Sequence, residues 1–345
     1  GRGLTAARRG ACGIVAAHSK FVRILNAVAN QVDIRTALKE GMARLRAADT
    51  PSHTLATELL LMHALGRDRA WMYAHVEEPL DDAKYEQFFT LIARRAAGEP
   101  TQYLTGKQEF WGLEFEVTPA VLIPRPETEH VLEVALARLG ERGIKIHMDT
   151  GAPREKLCLA DVGTGSGCLA VALAYELPHA DVYATDISAP ALEVARRNAA
   201  RHGVADRIHF LQCDLLDTLQ YTNPVVVGQR SAVPASEPHE PRFDLIVSNP
   251  PYVALDDAPQ LQREVRDYEP HRALFGGRTG VEIYGRLIEQ AGELLRDRSI
   301  LVLELGHDSA EYVRGIFEEH SGWTKVSTTM DLAGIPRVLA AERAR

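Results

Sequence analysis

Two stretches of this sequence carry residue types that could do chemistry together. The first, residues 243–252 (FDLIVSNPPY), is an apolar run that stops at Asn249-Pro250-Pro251-Tyr252. Residues 245–249 read as a buried strand, and the two prolines then prevent the backbone from pairing further. Proline locks φ and biases its predecessor toward extended geometry, so Asn249 and the Pro250 carbonyl point in nearly fixed directions beside the Tyr252 ring. The Asn249 amide oxygen and the Pro250 carbonyl can each accept one hydrogen of a planar NH2 group, while Tyr252 covers its face. Asn-Pro-Pro is also an ordinary turn at a strand end, so its weight comes from the second stretch.

That second stretch is Asp161-Val162-Gly163-Thr164-Gly165-Ser166-Gly167. Glycines at alternate positions let the chain turn tightly from strand to helix and let a ligand touch bare backbone. The spacing is GxGxG, not the dinucleotide GxGxxG. A carboxylate at Asp161 disfavours a pyrophosphate and suits a cationic ammonium or sulfonium. The next strand ends in Asp186, an acid able to accept both ribose hydroxyls. Asp214, after the third strand, is placed to meet an adenine amino group through its side chain or through the Leu215 backbone. A charged nucleoside without phosphates fits this set, and S-adenosylmethionine answers that description.

The elements that hold these residues alternate. Strands are expected at 157–162, 182–186, 208–212, 245–248 and 300–305, and helices at 169–177, 189–202, 281–295 and 310–319. Short strands follow Trp323 and surround Val338. Such alternation implies an open, mostly parallel sheet with helices on both faces, whose ligands sit at the carboxyl ends of the strands near the switch in strand order. Upstream, residues 33–98 are helical: Leu38, Met42 and Leu45 share a face, Leu55, Leu59 and Met62 another, and Tyr85, Phe88, Phe89 and Ile92 a third. Turn and cap signals lie at 49–52 and 79–81. Residues 107–124 change register and predict a two-stranded hairpin. Pro124-Arg125-Pro126-Glu127-Thr128-Glu129 then reads as a rigid loop capping a helix at 131–139.

Composition bounds the rest. A chain of 345 residues, 46% apolar, can bury a large core and implies two domains. The net charge of −8, with both signs interspersed, argues against broad binding to nucleic acid or an anionic membrane. Cys12, Cys158, Cys168 and Cys213 show no CxxC spacing and no histidine partners, so a reduced protein without structural metal is expected. No apolar run approaches the ~18 residues of a membrane span. Residues 1–30 are basic and acid-poor and read as a disordered or upstream-translated extension.

Glycine turn, ribose acid and NPPY in this order resemble the class I S-adenosylmethionine-dependent methyltransferases. More narrowly, the chain is similar to the peptide chain release factor glutamine methyltransferases, which form N5-methylglutamine in the GGQ motif of class-1 release factors. The similarity covers about residues 33–342. It rests on Gly98-Glu99-Pro100 with Tyr103-Leu104-Thr105-Gly106, on Glu109-Phe110-Trp111, on 122–129 (LIPRPETE), and on the glycine turn. It continues through Ser248 to Tyr252, Tyr268-Glu269-Pro270 and Asp331-Leu332-Ala333-Gly334. The PRPET loop separates this group from the sister family that modifies a ribosomal protein.

The resemblance implies a Rossmann-like α/β fold with a mostly parallel seven-stranded sheet, preceded by a helical bundle at 31–106 that docks the release factor and a linking hairpin at 107–124. The methyltransferase domain would run from 125 to 345. Gly163 to Gly167, with Thr164 and Ser166, Asp186, Leu215 and Asn249 would line the cofactor site. Asn249, Pro250, Pro251 and Tyr252 would hold the glutamine, with Arg125 and Glu127 beside it. A cytoplasmic monomer is expected. Tyr268-Glu269-Pro270 and Gly276-Gly277 are expected at the substrate lip. The Pro-rich segment 220–242 departs from the family pattern and reads as a surface insertion. An adenine-N6 or other nucleic-acid aminomethyltransferase remains the alternative, because an exocyclic amine is also planar. A dehydrogenase is disfavoured by GxGxG and by the lack of a catalytic histidine at a strand end.

Overall fold

The computed structural model describes residues 32–144, 156–221 and 242–345. The basic stretch at 1–30, the middle of the connection at 140–156 and nearly all of the insertion at 220–242 lie outside those residues. The described chain divides into two compact units, with the boundary between Thr105 and Gly106.

The first unit is helical: α1 (Ile34–Ala47), α2 (His53–Leu65), α3 (Arg69–Ala74), α4 (Asp82–Ala96) and α5 (Thr101–Thr105). Aspartates start three of these helices, Asp33, Asp68 and Asp81 each accepting a backbone N–H from the first turn at 2.7–2.8 Å. Each such cap contributes about 1 kcal/mol. Leu38, Leu45, Leu60, Leu61, Phe88 and Ile92 are buried together. Gly41 sets the closest approach, since a Cβ there would stand 2.8 Å from both Phe88 and Thr57.

One expected face is wrong. Leu55 and Leu59 of α2 are 50% and 36% exposed, and the helix buries Ala56, Leu60, Leu61 and Ala64 instead. This helix is apolar nearly all round (HTLATELLLMHAL), so spacing alone cannot choose its inner side.

The second unit opens with an antiparallel hairpin, β1 (Lys107–Phe110) and β2 (Leu113–Glu116), which is shorter than the 107–124 expected. Its turn residues Trp111 and Gly112 are both left-handed, with φ of 56° and 69°, the geometry that matches hairpin twist. Trp111 is held there by two carboxylates, its N–H donating to Glu129 and its indole Nε1 to Glu176, each at 2.8 Å. Phe110 and Phe115 sit in the core of this unit, so the hairpin is part of it and not a separate linking element.

After α6 (Glu129–Glu141) the chain builds β3 (Leu157–Val162), α7 (Cys168–Glu176), β4 (Ala180–Asp186), α8 (Ala189–Arg201), β5 (Ile208–Gln212), α9 (Asp217–Tyr221) and β6 (Phe243–Ser248). A short pair, β7 (Val253–Ala254) and β8 (Phe275–Gly277), brackets α10 (Arg263–Tyr268) and α11 (His271–Leu274). Then follow α12 (Glu282–Leu294), β9 (Leu295–Glu304), α13 (Ala310–Glu319), β10 (Trp323–Met330) and β11 (Pro336–Arg343).

Seven of these strands form one sheet in the order β10-β11-β9-β6-β3-β4-β5. The five from β9 to β5 are mutually parallel, and β11 and β10 close one edge antiparallel. Both faces are covered. Leu159, Leu245, Val247, Ile300 and Val302 pack under α6 and α7, while Ala160, Ile246, Leu301 and Leu303 pack under α12 and α13. Each fully buried aliphatic side chain contributes about 1.5–3 kcal/mol, so the period-2 alternation of buried residues stabilises both layers at once. The chain leaves β3 toward β4 and β5, then returns to place β6 on the other side of β3. That reversal makes the carboxyl ends of β3 and β6 the switch point where open sheets bind ligands.

Candidate active site

Register decides whether the two motifs can meet. Val162, the last residue of β3, pairs with Ser248, the last of β6, and Ser248 pairs with Leu303 of β9. Neighbouring strands are about 4.8 Å apart, so the glycine turn and NPPY leave adjacent strands at the same level. The Ser248 hydroxyl closes the gap, donating to the Val162 carbonyl at 2.7 Å.

The turn after β3 needs its glycines. Gly163, Gly165 and Gly167 have φ of 74°, 54° and 83°, where a side chain is strained. The amides of Gly163 and Thr164 both donate to the Thr185 carbonyl, at 2.9 and 2.8 Å, which pulls the turn over β4. Gly167 lies against α8, where a Cβ would stand 3.0 Å from Ala195. At Gly163 a Cβ would meet no atom within 4 Å, so open space lies above the backbone. Asn198 of α8 ties hairpin and turn together, donating to the Glu116 and Ser166 carbonyls and accepting the Glu116 N–H.

Several expected cofactor residues also hold the turn itself together. Asp161 is buried, and its Oδ2 accepts from the Thr164 hydroxyl at 2.6 Å and the Ala170 amide at 3.0 Å. Burial raises its pKa to about 7 against those two bonds, with the nearby Asp186 adding to the rise. Asp161 therefore braces the turn and the start of α7 as well as adding negative potential. Thr164 and Ser166 are buried too, so only their backbone can face a ligand. Asp186 accepts Gly165 N–H at 2.9 Å and Ser188 N–H at 2.8 Å, and burial raises its pKa. Each of its oxygens keeps a lone pair for a hydroxyl. The Asp214 carboxylate pairs with Arg286 at 2.7 Å, and Leu215 beside it has a left-handed φ of 50°.

An open glycine turn flanked by a buried acid, Asp161, and a half-buried one, Asp186, with no lysine or arginine in it, fits a cationic nucleoside and not a phosphate. Among the described residues no group of three or more histidine, cysteine or acidic side chains is arranged to hold a metal ion.

NPPY is seated on three glycines. A Cβ at Gly276 would stand 2.3 Å from the Pro251 carbonyl oxygen, one at Gly280 2.4 Å from the Tyr252 carbonyl oxygen, and one at Gly306 2.9 Å from the Tyr252 ring. Gly276 thus lies behind the motif. The Asn249 side chain donates through Nδ2 to the Thr128 hydroxyl at 2.9 Å. Thr128 donates in turn to Glu304 Oε2 at 2.6 Å, and the Tyr252 hydroxyl donates to Glu304 Oε1 at 3.2 Å. Glu304 ends β9 fully inside the protein. Burial raises its pKa to about 7, while the Thr128 and Tyr252 hydroxyls and the Arg337 charge favour its ionised form. Burial and the same carboxylate push the Tyr252 phenol far above its ordinary range.

The PRPET loop is clamped from the other side. Glu269 of Tyr268-Glu269-Pro270 is buried and accepts from Arg125 at 2.5 Å and from the Ile123 amide at 3.2 Å. Arg125 is therefore engaged by Glu269, and Glu127 is exposed. Thr128 makes no side-chain cap on α6, because its hydroxyl serves Glu304. Sequence reasoning missed Glu304 and the role of Thr128. A signal was present: Glu304 closes an apolar run (residues 300–304, ILVLE) at a strand end, and Asp186 likewise ends β4.

Comparison with known proteins gives the family. A family model described as the PrmC N-terminal domain matches residues 36–106, and one described as a methyltransferase domain matches residues 154–334. A release factor glutamine methyltransferase of Koribacter versatilis is 42% identical over 311 residues, 90% of this chain and 98% of that protein. The one from Geobacter sulfurreducens is 42% identical, covering 83% of this chain and 88% of its own length. That of Moorella thermoacetica is 40% identical over 90% of this chain and 98% of its own. Among solved structures, a methyltransferase from Pyrococcus furiosus is similar at a TM-score of 0.44 and 20% identity, covering 73% of this chain and 98% of its own, too loose a likeness to bear on function. The extent and level of identity show that this chain belongs to the release factor glutamine methyltransferase family.

Proposed function

We propose that this protein transfers a methyl group from S-adenosylmethionine to the side-chain amide nitrogen (N5) of the glutamine in the GGQ motif of class-1 peptide chain release factors. One observation carries the reading. Asn249, whose amide is fixed by Thr128, stands at the end of β6 level with the glycine turn at the end of β3.

When bound, S-adenosylmethionine supplies an electrophilic methyl group on a sulfonium. The residues suited to hold it are the Gly163 to Gly167 backbone, Asp186 at the ribose, the Leu215 backbone at the base, and the negative field of Asp161. An amide nitrogen is a poor nucleophile, since its lone pair is spread into the carbonyl, and no side chain here is basic enough to deprotonate it. Alignment must therefore do most of the catalysis. Asn249 Oδ1 and the Pro250 carbonyl accept the two hydrogens of the glutamine NH2 and aim its lone pair across to the glycine turn, with Tyr252 against its face. Such positioning can contribute about 7–11 kcal/mol. The proton released from nitrogen sits against these two weak acceptors and passes to water.

The helical unit, with Leu55, Leu59 and Tyr73 exposed, supports a docking role toward the release factor. Among the described residues no helix is long and apolar enough to cross a membrane. A translation factor as substrate supports a cytoplasmic location for the reaction. Mass spectrometry of a GGQ-bearing release factor after incubation with the enzyme and S-adenosylmethionine tests the reading. One added methyl on the glutamine is expected. No methylation there, with transfer into duplex DNA instead, would overturn it.

A further inference from the structure

Taking Asn249 as the residue that grips the substrate amide, as in the reading above, we propose that Glu304 and Thr128 are positioning residues forming a hydroxyl relay that decides which end of the Asn249 amide faces the substrate. A carboxamide has two ends of similar shape and opposite role: Oδ1 accepts and Nδ2 donates. Only Oδ1 can take a hydrogen of the glutamine NH2. Nothing in the backbone at Asn249 distinguishes the two orientations, because a half-turn about the last side-chain bond exchanges them.

The relay breaks that symmetry. Ionised Glu304 can only accept, so the Thr128 hydroxyl must point its hydrogen at Oε2. Thr128 Oγ1 is then left as an acceptor toward Asn249, and Nδ2 must turn to it. Oδ1 consequently points away from Thr128. The other oxygen of Glu304 receives the Tyr252 hydroxyl, so one buried carboxylate sets both polar side chains of NPPY.

Protonation reverses the relay. A proton on Oε2 would be donated to Thr128 Oγ1, the Thr128 hydrogen would swing to Asn249, and Oδ1 would be drawn to it, presenting Nδ2 to the substrate. The groups facing Glu304 are the Tyr252 and Tyr284 hydroxyls, Glu127 on the PRPET loop, Cys168 at the start of α7 and the Arg337 guanidinium on β11. Arg337 is itself paired with Asp331 at 3.0 Å, so it offsets the burial of Glu304 only in part. Burial raises the Glu304 pKa to about 7, which brings the reversal into an accessible range.

The test measures kcat, KM for a GGQ-bearing release factor and cofactor Kd from about pH 5.5 to 9 for the wild type, Thr128→Val, Thr128→Ser and Glu304→Gln. Wild-type kcat should fall on the acid side with the loss of a single ionised group. Thr128→Val should lose about tenfold or more in kcat with cofactor Kd changed less than about twofold, and Thr128→Ser should recover that rate. Glu304→Gln, which can donate to Thr128 at any pH, should be slow throughout and lack the acid limb. Wild-type kcat in Thr128→Val, no recovery in Thr128→Ser, or an intact acid limb in Glu304→Gln would each overturn the relay. If Glu304→Gln does not fold, the two Thr128 variants decide alone. A wild type that leaves the GGQ glutamine unmethylated at every pH would instead refute the function on which the relay rests.

Discussion

Replacing Gly306 by alanine should slow the reaction without changing a residue of either motif. Gly306 follows β9, and a Cβ there would stand 2.9 Å from the Tyr252 ring edge and 3.1 Å from two further Tyr252 carbons. Its backbone cannot retreat easily, since its N–H donates to the Tyr284 hydroxyl at 3.2 Å and its carbonyl accepts from Ser309 at 2.9 Å. Carbon atoms need about 3.5–4.0 Å, so the ring must move by roughly 0.5 Å. The Tyr252–Glu304 hydrogen bond is already 3.2 Å long and would be lost by such a shift. Overpacking of this kind costs about 1–3 kcal/mol of stability. Displacement of a group that orients the substrate should lower kcat by about 10–100-fold. Cofactor affinity should be nearly unchanged, because the glycine turn lies on a different strand. Single-turnover methyl transfer from labelled S-adenosylmethionine to a release factor, with cofactor binding followed by calorimetry, reads both. A kcat within about twofold of wild type, or a loss that resides in cofactor binding, would refute the displacement of Tyr252 as the cause.

Asn249→Ala removes one of two acceptors and should reduce kcat by about 100-fold or more, as loss of a preorganised hydrogen-bond partner typically does, while cofactor Kd measured by calorimetry holds. Unchanged turnover would remove Asn249 from the mechanism. Asp186→Ala should show the opposite split, weakening cofactor binding by about tenfold or more, since Asp186 also holds the Gly165 and Ser188 amides; equal affinity would refute the ribose assignment. Stability should depend on pH through Glu304. Its folded pKa of about 7 lies above the ordinary glutamate value of 4.5, so between these values the folded protein keeps a proton that the unfolded chain has released. Stability from this group is full below about pH 4 and is lost as pH rises through about 7, at most by about 3 kcal/mol. The Tm of wild type relative to Glu304→Gln should fall by several degrees between about pH 5 and 8; a constant difference would mean that Glu304 is not held neutral by burial.

The order of strands and helices, the two motifs and the side of the sheet that carries them were legible in the sequence. Each is written locally: a buried strand is a run of apolar residues, a strand-to-helix turn demands glycine, and proline ends pairing wherever it stands. Local writing also explains the errors. Helix α2 is apolar on every side, so its inner face was set by what packs on it, through Leu60 and Leu61 and not Leu55 and Leu59. Thr128 has the spacing of a helix cap, and Asp161 that of a ligand for a cation. The Thr128 hydroxyl went to the partner that the fold brought near, Glu304, and Asp161 gained a second, bracing role toward the Thr164 hydroxyl and the Ala170 amide. Tertiary structure alone brought residues 128 and 304, distant in sequence, to 249 and 252, which meet Glu304 because β6 and β9 are neighbours with Ser248 level with Leu303. A hydrogen bond depends on distance and direction in space, and sequence spacing supplies those only within a turn or a single element. What binds across strands is decided by register, and register by the whole core.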